Sequence, residues 1–69
     1  MPVHLIQRNE TRVIVQILGD DKLKAHLANL GFLIGEPITL VNKVNENVIL
    51  KVKGVSLGIS KELAKRILV

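Results

Sequence analysis

Cysteine and tryptophan and tyrosine are missing from these 69 residues, and Phe32 is the one aromatic side chain. Without cysteine there is no disulfide framework to staple the fold and no thiolate zinc site. Without tyrosine or tryptophan the chain cannot line the aromatic groove that captures proline-rich peptides. Nor can it build the stacking platforms on which single-stranded nucleic acids are held. Long apolar runs are absent too, so no segment reads as a bilayer span. The start, Met1-Pro2-Val3-His4-Leu5-Ile6, lacks the basic region and apolar run of a signal peptide. Residues 1–69 therefore read as one small domain in the cytoplasm. Such a chain buries roughly 60% of the surface it exposes when unfolded, which makes its stability marginal.

Apolar residues make up 48% of the chain, enough for a compact core and too many for a disordered tail. The net charge of +4 is unevenly placed. Arg8, Arg12, Lys22, Lys24 and Lys43 are matched by Glu10, Asp20, Asp21, Glu36 and Glu46 in the first part of the chain. Lys51, Lys53, Lys61, Lys65 and Arg66 face Glu62 alone in the last part. That basic end suits an acidic protein surface, a phosphate backbone or anionic headgroups; a solvated face explains it equally well.

Periodicity divides the chain into short pieces. Val3–Ile6 reads as a first strand, and Arg8-Asn9-Glu10-Thr11 as a turn with Asn9 in a left-handed position. Arg12–Leu18 alternates as a strand, with Val13, Val15 and Ile17 on one face and Ile14, Gln16 and Leu18 on the other. Asp20 or Asp21 caps a helix that carries Leu23, Leu27 and Leu30 at helical spacing. Gly31 then provides the left-handed residue that ends it, and Phe32 folds back onto Leu27 in a Schellman turn. Gly35 permits a second unusual backbone angle before Ile38–Val44. Ile38–Val44 and Asn47–Lys53 form a hairpin around Asn45-Glu46, with Val48, Leu50 and Val52 on one face. Gly54 marks a turn or bulge, and Val55, Leu57 and Ile59 alternate again. Ser60 caps a short helix, Lys61–Arg66, which points Leu63 and Ile67 inward, and Ile67–Val69 returns as a last strand. Short, closely spaced strands predict a mainly β fold, a small closed barrel with one inserted helix and a short C-terminal one.

No catalyst emerges from this pattern. His4 and His26 are far apart and lack carboxylates at ligand spacing, so no dedicated metal site is expected. His26 sits at the edge of the apolar helical stripe, where a half-buried imidazole with one hydrogen bond is expected. Asp20 and Asp21 are explained by capping. Ser56 and Ser60 fall at strand and cap positions, and Gly31-x-x-x-Gly35 lacks the Gly-Lys-Ser/Thr of a phosphate loop.

In this order the pieces resemble the ferrous-iron transport protein A family, FeoA. The matching residues are Leu27–Gly35, Ile38–Leu40, Val52-Lys53-Gly54 and Ile59–Val69. Asn9, Gly58 and Ser60 depart from the family's usual Gly, Ala and Arg, and the Asn42–Asn47 loop is short. The resemblance implies an SH3-like barrel without enzymatic activity or cofactor. It also implies an accessory role beside FeoB, a membrane permease with a GTP-binding domain, at the inner face of the membrane. Partner contacts are expected from Leu33 and Ile34 and from Lys51, Lys53, Lys61, Lys65 and Arg66, while Gly31, Phe32, Gly35 and Gly54 shape turns. A homo-oligomer is left open. The second reading is a swapped-hairpin DNA-binding regulator of the AbrB type, for which Leu30-Gly31 and Gly35-Glu36-Pro37-Ile38 are the comparison and phosphates the target. It leaves Ser60–Val69 without a role.

Overall fold

A computed structural model describes all residues, 1–69. Its strands are β1 (Thr11–Val13), β2 (Gln16–Ile17), β3 (Pro37–Val44), β4 (Asn47–Val52), β5 (Val55–Ser60) and β6 (Ile67–Leu68). Two helices, α1 (Asp21–Asn29) and α2 (Lys61–Ala64), interrupt them. The fold is mainly β, as expected. One antiparallel sheet runs β1-β3-β4-β5 and a smaller one pairs β2 with β6. The two sheets do not join into one continuous ring of strands, so the expected closed barrel is open.

The stretch read as one strand, Arg12–Leu18, is in fact two strands meeting at a corner. The Ile14 amide donates to Glu36 O (3.0 Å), and Gly35 N donates to Ile14 O (2.8 Å). One residue later the Val15 amide donates to Leu68 O (2.9 Å), in the other sheet. A strand that changes sheets must bend, and the bend breaks the period of two. Ile14 and Ile17 are buried while Val13, Val15 and Leu18 are exposed. The first segment differs as well. Val3–Leu5 is a 3-10 turn closed by Leu5 N→Pro2 O (3.0 Å), and it buries Val3, His4 and Ile6. A strand would have put Val3 and Leu5 on one face; here Leu5 is exposed.

Helix α1 follows its sequence closely. Asp20 Oδ1 accepts from Leu23 N at 2.8 Å, the N-cap bond. At the other end Gly31 N donates to Ala28 O (2.9 Å) and Phe32 N donates to Leu27 O (3.0 Å). These are the two bonds of a Schellman motif, and Gly31 takes the left-handed angle it needs, φ +100°. Phe32 and Leu27 are both fully buried.

Both hairpins use two-residue turns. Asn45-Glu46 links Val44 to its partner Asn47, with Asn45 at φ +55°. Lys53-Gly54 links Val52 to Val55, with φ +53° and +77°, the pattern of a type I′ turn. Lys53 is thus a turn residue and not the end of a strand. A bulge at Val41 shifts the β3–β4 register between Leu40 and Asn42. Ser60 Oγ accepts from Leu63 N at 3.2 Å and caps α2, which ends at Ala64, two residues short of the expected Arg66. Fourteen apolar side chains form one core, which includes Leu40, Leu50 and Val52 of the large sheet together with Leu27 and Phe32.

Candidate functional site

An apolar groove of about 620 Å³ opens on the surface between α1 and β2. Its walls are Gln16 and Ile17 of β2, Lys24 and Ala28 of α1, and Phe32, Leu33 and Ile34 of the turn after α1. The residues that build it are those that end the helix. Once Gly31 reverses the chain and Phe32 is drawn into the core, Leu33 and Ile34 must pass over the surface between the helix end and the sheet corner. Leu33 remains 40% exposed and Ile34 67%. The corner at Ile14-Val15 leads into β2, whose Gln16 and Ile17 supply the opposite wall. Ala28 keeps the helix wall low, and Lys24, one turn earlier, is the single charged group in the lining.

Of the expected contact residues, the structure gathers Leu33, Ile34 and Lys53. A Cβ built on Gly31 would lie 3.9 Å from Lys53 Cδ, and Lys53 Nζ lies 3.9 Å from Glu36 Oε1. Lys53 therefore lies beside the Gly31–Glu36 turn. Gly35 (φ +92°) bonds Ile14 across the corner and so ties that turn to the sheet. Lys51 lies elsewhere, on the outer face of the large sheet opposite Thr39 and Ser56. Lys61 and Lys65 are on α2, where Lys65 Nζ pairs with Glu62 Oε1 at 3.3 Å. Arg66 follows α2, and its carbonyl accepts from Leu18 N. Leu18 itself is 37% exposed. The sequence did not reveal Gln16, Ile17, Lys24 and Ala28 as groove residues. The Lys24/Ala28 spacing marks a helix face beside the leucine stripe, but the sheet change that brings β2 opposite that face leaves no periodic trace.

The two histidines lie in opposite environments, and His26 is not half-buried as expected. His26 is exposed on α1. His4 is 8% exposed, and its Nδ1 is buried without a hydrogen-bond partner. Burial lowers the His4 pKa from its ordinary 6.5, and the positive charges of Lys61, Lys65 and Lys43 lower it further, against a smaller opposing pull from Glu62. The native protein thus holds this proton less readily than the unfolded chain. The resulting stability is complete above 6.5 and is lost as the pH falls from there through the folded-state value. Urea midpoints measured between pH 7.5 and 5.5 should fall in the native sequence and change less in His4→Leu. An equal fall in both would assign the effect to other groups.

No group of three or more histidines, cysteines or carboxylates is placed to hold a metal ion. No helix is long and apolar enough to cross a membrane. The groove presents apolar surface, one ammonium group and one amide, which suits binding of an apolar protein segment and offers no nucleophile or acid–base pair.

The family model of the FeoA domain matches residues 1–69. An iron uptake regulatory protein, FeoA, has a crystal structure similar to this chain at TM-score 0.89 and 26% identity, covering 97% of this chain and 91% of that one. A FeoA-like protein from Clostridium acetobutylicum shares the fold at TM-score 0.87 and 21% identity, over 99% of this chain and 81% of that one. IdeR of T. acidophilum matches at TM-score 0.83 and 25% identity, over 97% of this chain but 32% of its own. No curated protein matches by sequence. The family model spans the Ser60–Val69 segment along with the Leu27–Gly35 junction, and the solved FeoA structure superposes on nearly the whole chain. The chain belongs to the FeoA domain family, which is associated with ferrous-iron transport.

Proposed function

We propose that residues 1–69 act as a single, non-enzymatic accessory domain of ferrous-iron uptake that docks on a FeoB-type membrane GTPase and permease and modulates it. The domain works at the cytoplasmic face of the membrane, held there by its partner. The observation that carries this reading is the apolar groove with Leu33 and Ile34 exposed at its lip. Exposed apolar side chains beside a preformed groove are the usual mark of a protein-binding surface. Lys24 in the groove wall and Lys53 beside the turn favour a partner segment that pairs apolar side chains with a carboxylate. Lys51, Lys61, Lys65 and Arg66 contribute long-range attraction and not the anchor, because none of them lines the groove.

Co-purification of the tagged chain with its cognate permease from solubilised membranes tests this reading. Recovery of the complex, together with impaired ferrous uptake in a deletion strain that has no paralogue, is the expected result. Normal uptake in that strain overturns the proposal. The DNA-binding alternative gains nothing specific, since Ser60–Val69 is an integral part of the fold. Titration with duplex DNA at two salt concentrations should show no sequence-specific binding.

A further inference from the structure

His4 and the lysines around it play no part in the groove. The ring is 8% exposed, and neither of its nitrogens has a hydrogen-bond partner. Nδ1 is the fully enclosed one, which leaves Nε2 as the nitrogen within reach of the surface. Buried polar groups are normally paired, so an imidazole with both nitrogens free calls for a partner.

The fold explains why lysines gather beside it. Lys43, Val48 and Ile59 lie in one cross-strand row, and Val48 and Ile59 are buried. Lys43 therefore leaves β3 on the core face, where the sheet ends. Ser60 pairs with Asn47, and Lys61 N donates to Glu46 O at 2.8 Å, which fastens the start of α2 to the β3–β4 turn. The helix packs on the 3-10 turn that carries His4, with Lys61 and Lys65 one helical turn apart. The charges of all three lysines act on the ring, opposed by Glu62 alone. Lys43 and Lys61 have no ion-pair partner; Lys65 has Glu62 at 3.3 Å, a carboxylate that is 81% exposed. Like charges gathered without a close counter-charge repel one another, and a bound anion relieves that repulsion.

We propose that Lys43, Lys61 and Lys65, together with His4 Nε2, bind a phosphate group. A phosphate brings a double charge and three terminal oxygens, which suit several ammonium donors and one ring N–H. A carboxylate brings one charge and two oxygens and is better met by a guanidinium fork, which this cluster lacks. Soluble phosphate compounds and anionic lipid headgroups present the same chemistry, and the experiment separates them.

Pyrophosphate is titrated into the full chain at about pH 7.5 and fixed ionic strength, with the ring signals of both histidines followed by NMR. Those of His4 should move saturably while those of the exposed His26 stay in place. Lys43→Gln and Lys61→Gln should each weaken binding about threefold, the effect of one surface charge contact, and the double variant about tenfold. A bound dianion favours the charged ring, so pyrophosphate should also shrink the loss of urea midpoint between pH 7.5 and 5.5. Flotation with vesicles of phosphatidylglycerol and phosphatidylcholine identifies the source. Vesicle binding that is lost in the double variant assigns a lipid headgroup; saturable pyrophosphate binding without it assigns a soluble phosphate compound. The proposal is overturned if neither probe binds, if His26 moves with His4, or if the variants bind as the native chain does. Permease capture is scored separately, so failure of this site is distinguishable from failure of the groove.

Discussion

Phe32→Ala is expected to leave little folded protein at room temperature. Phe32 is 1% exposed and is the largest of the fully buried side chains. Truncating a buried phenylalanine costs about 3–5 kcal/mol, through lost transfer energy and the cavity left behind. A chain of this length has a total stability on the order of 3–10 kcal/mol. The loss is therefore comparable to everything the fold has. It is also concentrated at one point, because Phe32 is the third residue past α1 and packs where Leu27, the Schellman turn and the sheet meet. Circular dichroism during urea titration should show the midpoint falling by half or more, with Phe32→Leu retaining most of the native transition. A native-like midpoint in Phe32→Ala would show that the helix junction is not the keystone of the core.

The second large effect is functional. Ile34→Asp and Leu33→Asp should each reduce permease capture about tenfold or more, equivalent to at least 1.4 kcal/mol of binding energy. A carboxylate at the groove lip would have to be desolvated against an apolar partner, and central apolar anchors carry most of the energy of an interface. Ile34 is two-thirds exposed, so the same change should alter folding stability by no more than about 0.5 kcal/mol. Separation of binding from stability is the signature. Reversing Lys61, Lys65 and Arg66 together should act differently, slowing association and steepening its loss with salt while changing affinity by only a few-fold. If the charge reversals were costly and Ile34→Asp were silent, the basic end and not the groove would be the anchor.

Much of this architecture is legible in the sequence, and the legible parts share a cause. Asp20, Gly31, Phe32, Asn45, Gly54 and Ser60 act through backbone angles and hydrogen bonds to residues close in the chain. Each therefore announces its own cap or turn. Asn9, at φ +68°, belongs to the same group. The β4 alternation is equally direct, since Val48, Leu50 and Val52 are all buried. What the sequence hides is non-local. Ile14 changes sheets through bonds to Gly35, Glu36 and, one residue later, Leu68, none of which the 12–18 pattern can report. That corner brings Gln16 and Ile17 of β2 to the groove that Lys24 and Ala28 of α1 also line. Val3–Ile6 misleads for a related reason: three of its residues are buried through contacts with segments far along the chain, and no short period reveals this. His4 is the clearest case. Its sequence neighbours give no hint that α2 and the β3–β4 hairpin bring three lysines toward it.

The Leu27–Gly35 junction joins these levels. Its glycines and Phe32 fix a helix end, the helix end leaves two apolar residues at the surface, and those two residues line the groove on which the proposed docking depends. Site-specific photocross-linking in cells expressing the permease tests that dependence most directly, with the photoreactive residue at position 34 in one strain and at position 11, on the outer face of β1, in another. An adduct with the permease is expected from position 34 and none from position 11. An adduct from position 11 in its place, or no adduct from position 34 while the permease is present and ferrous uptake proceeds, would contradict it.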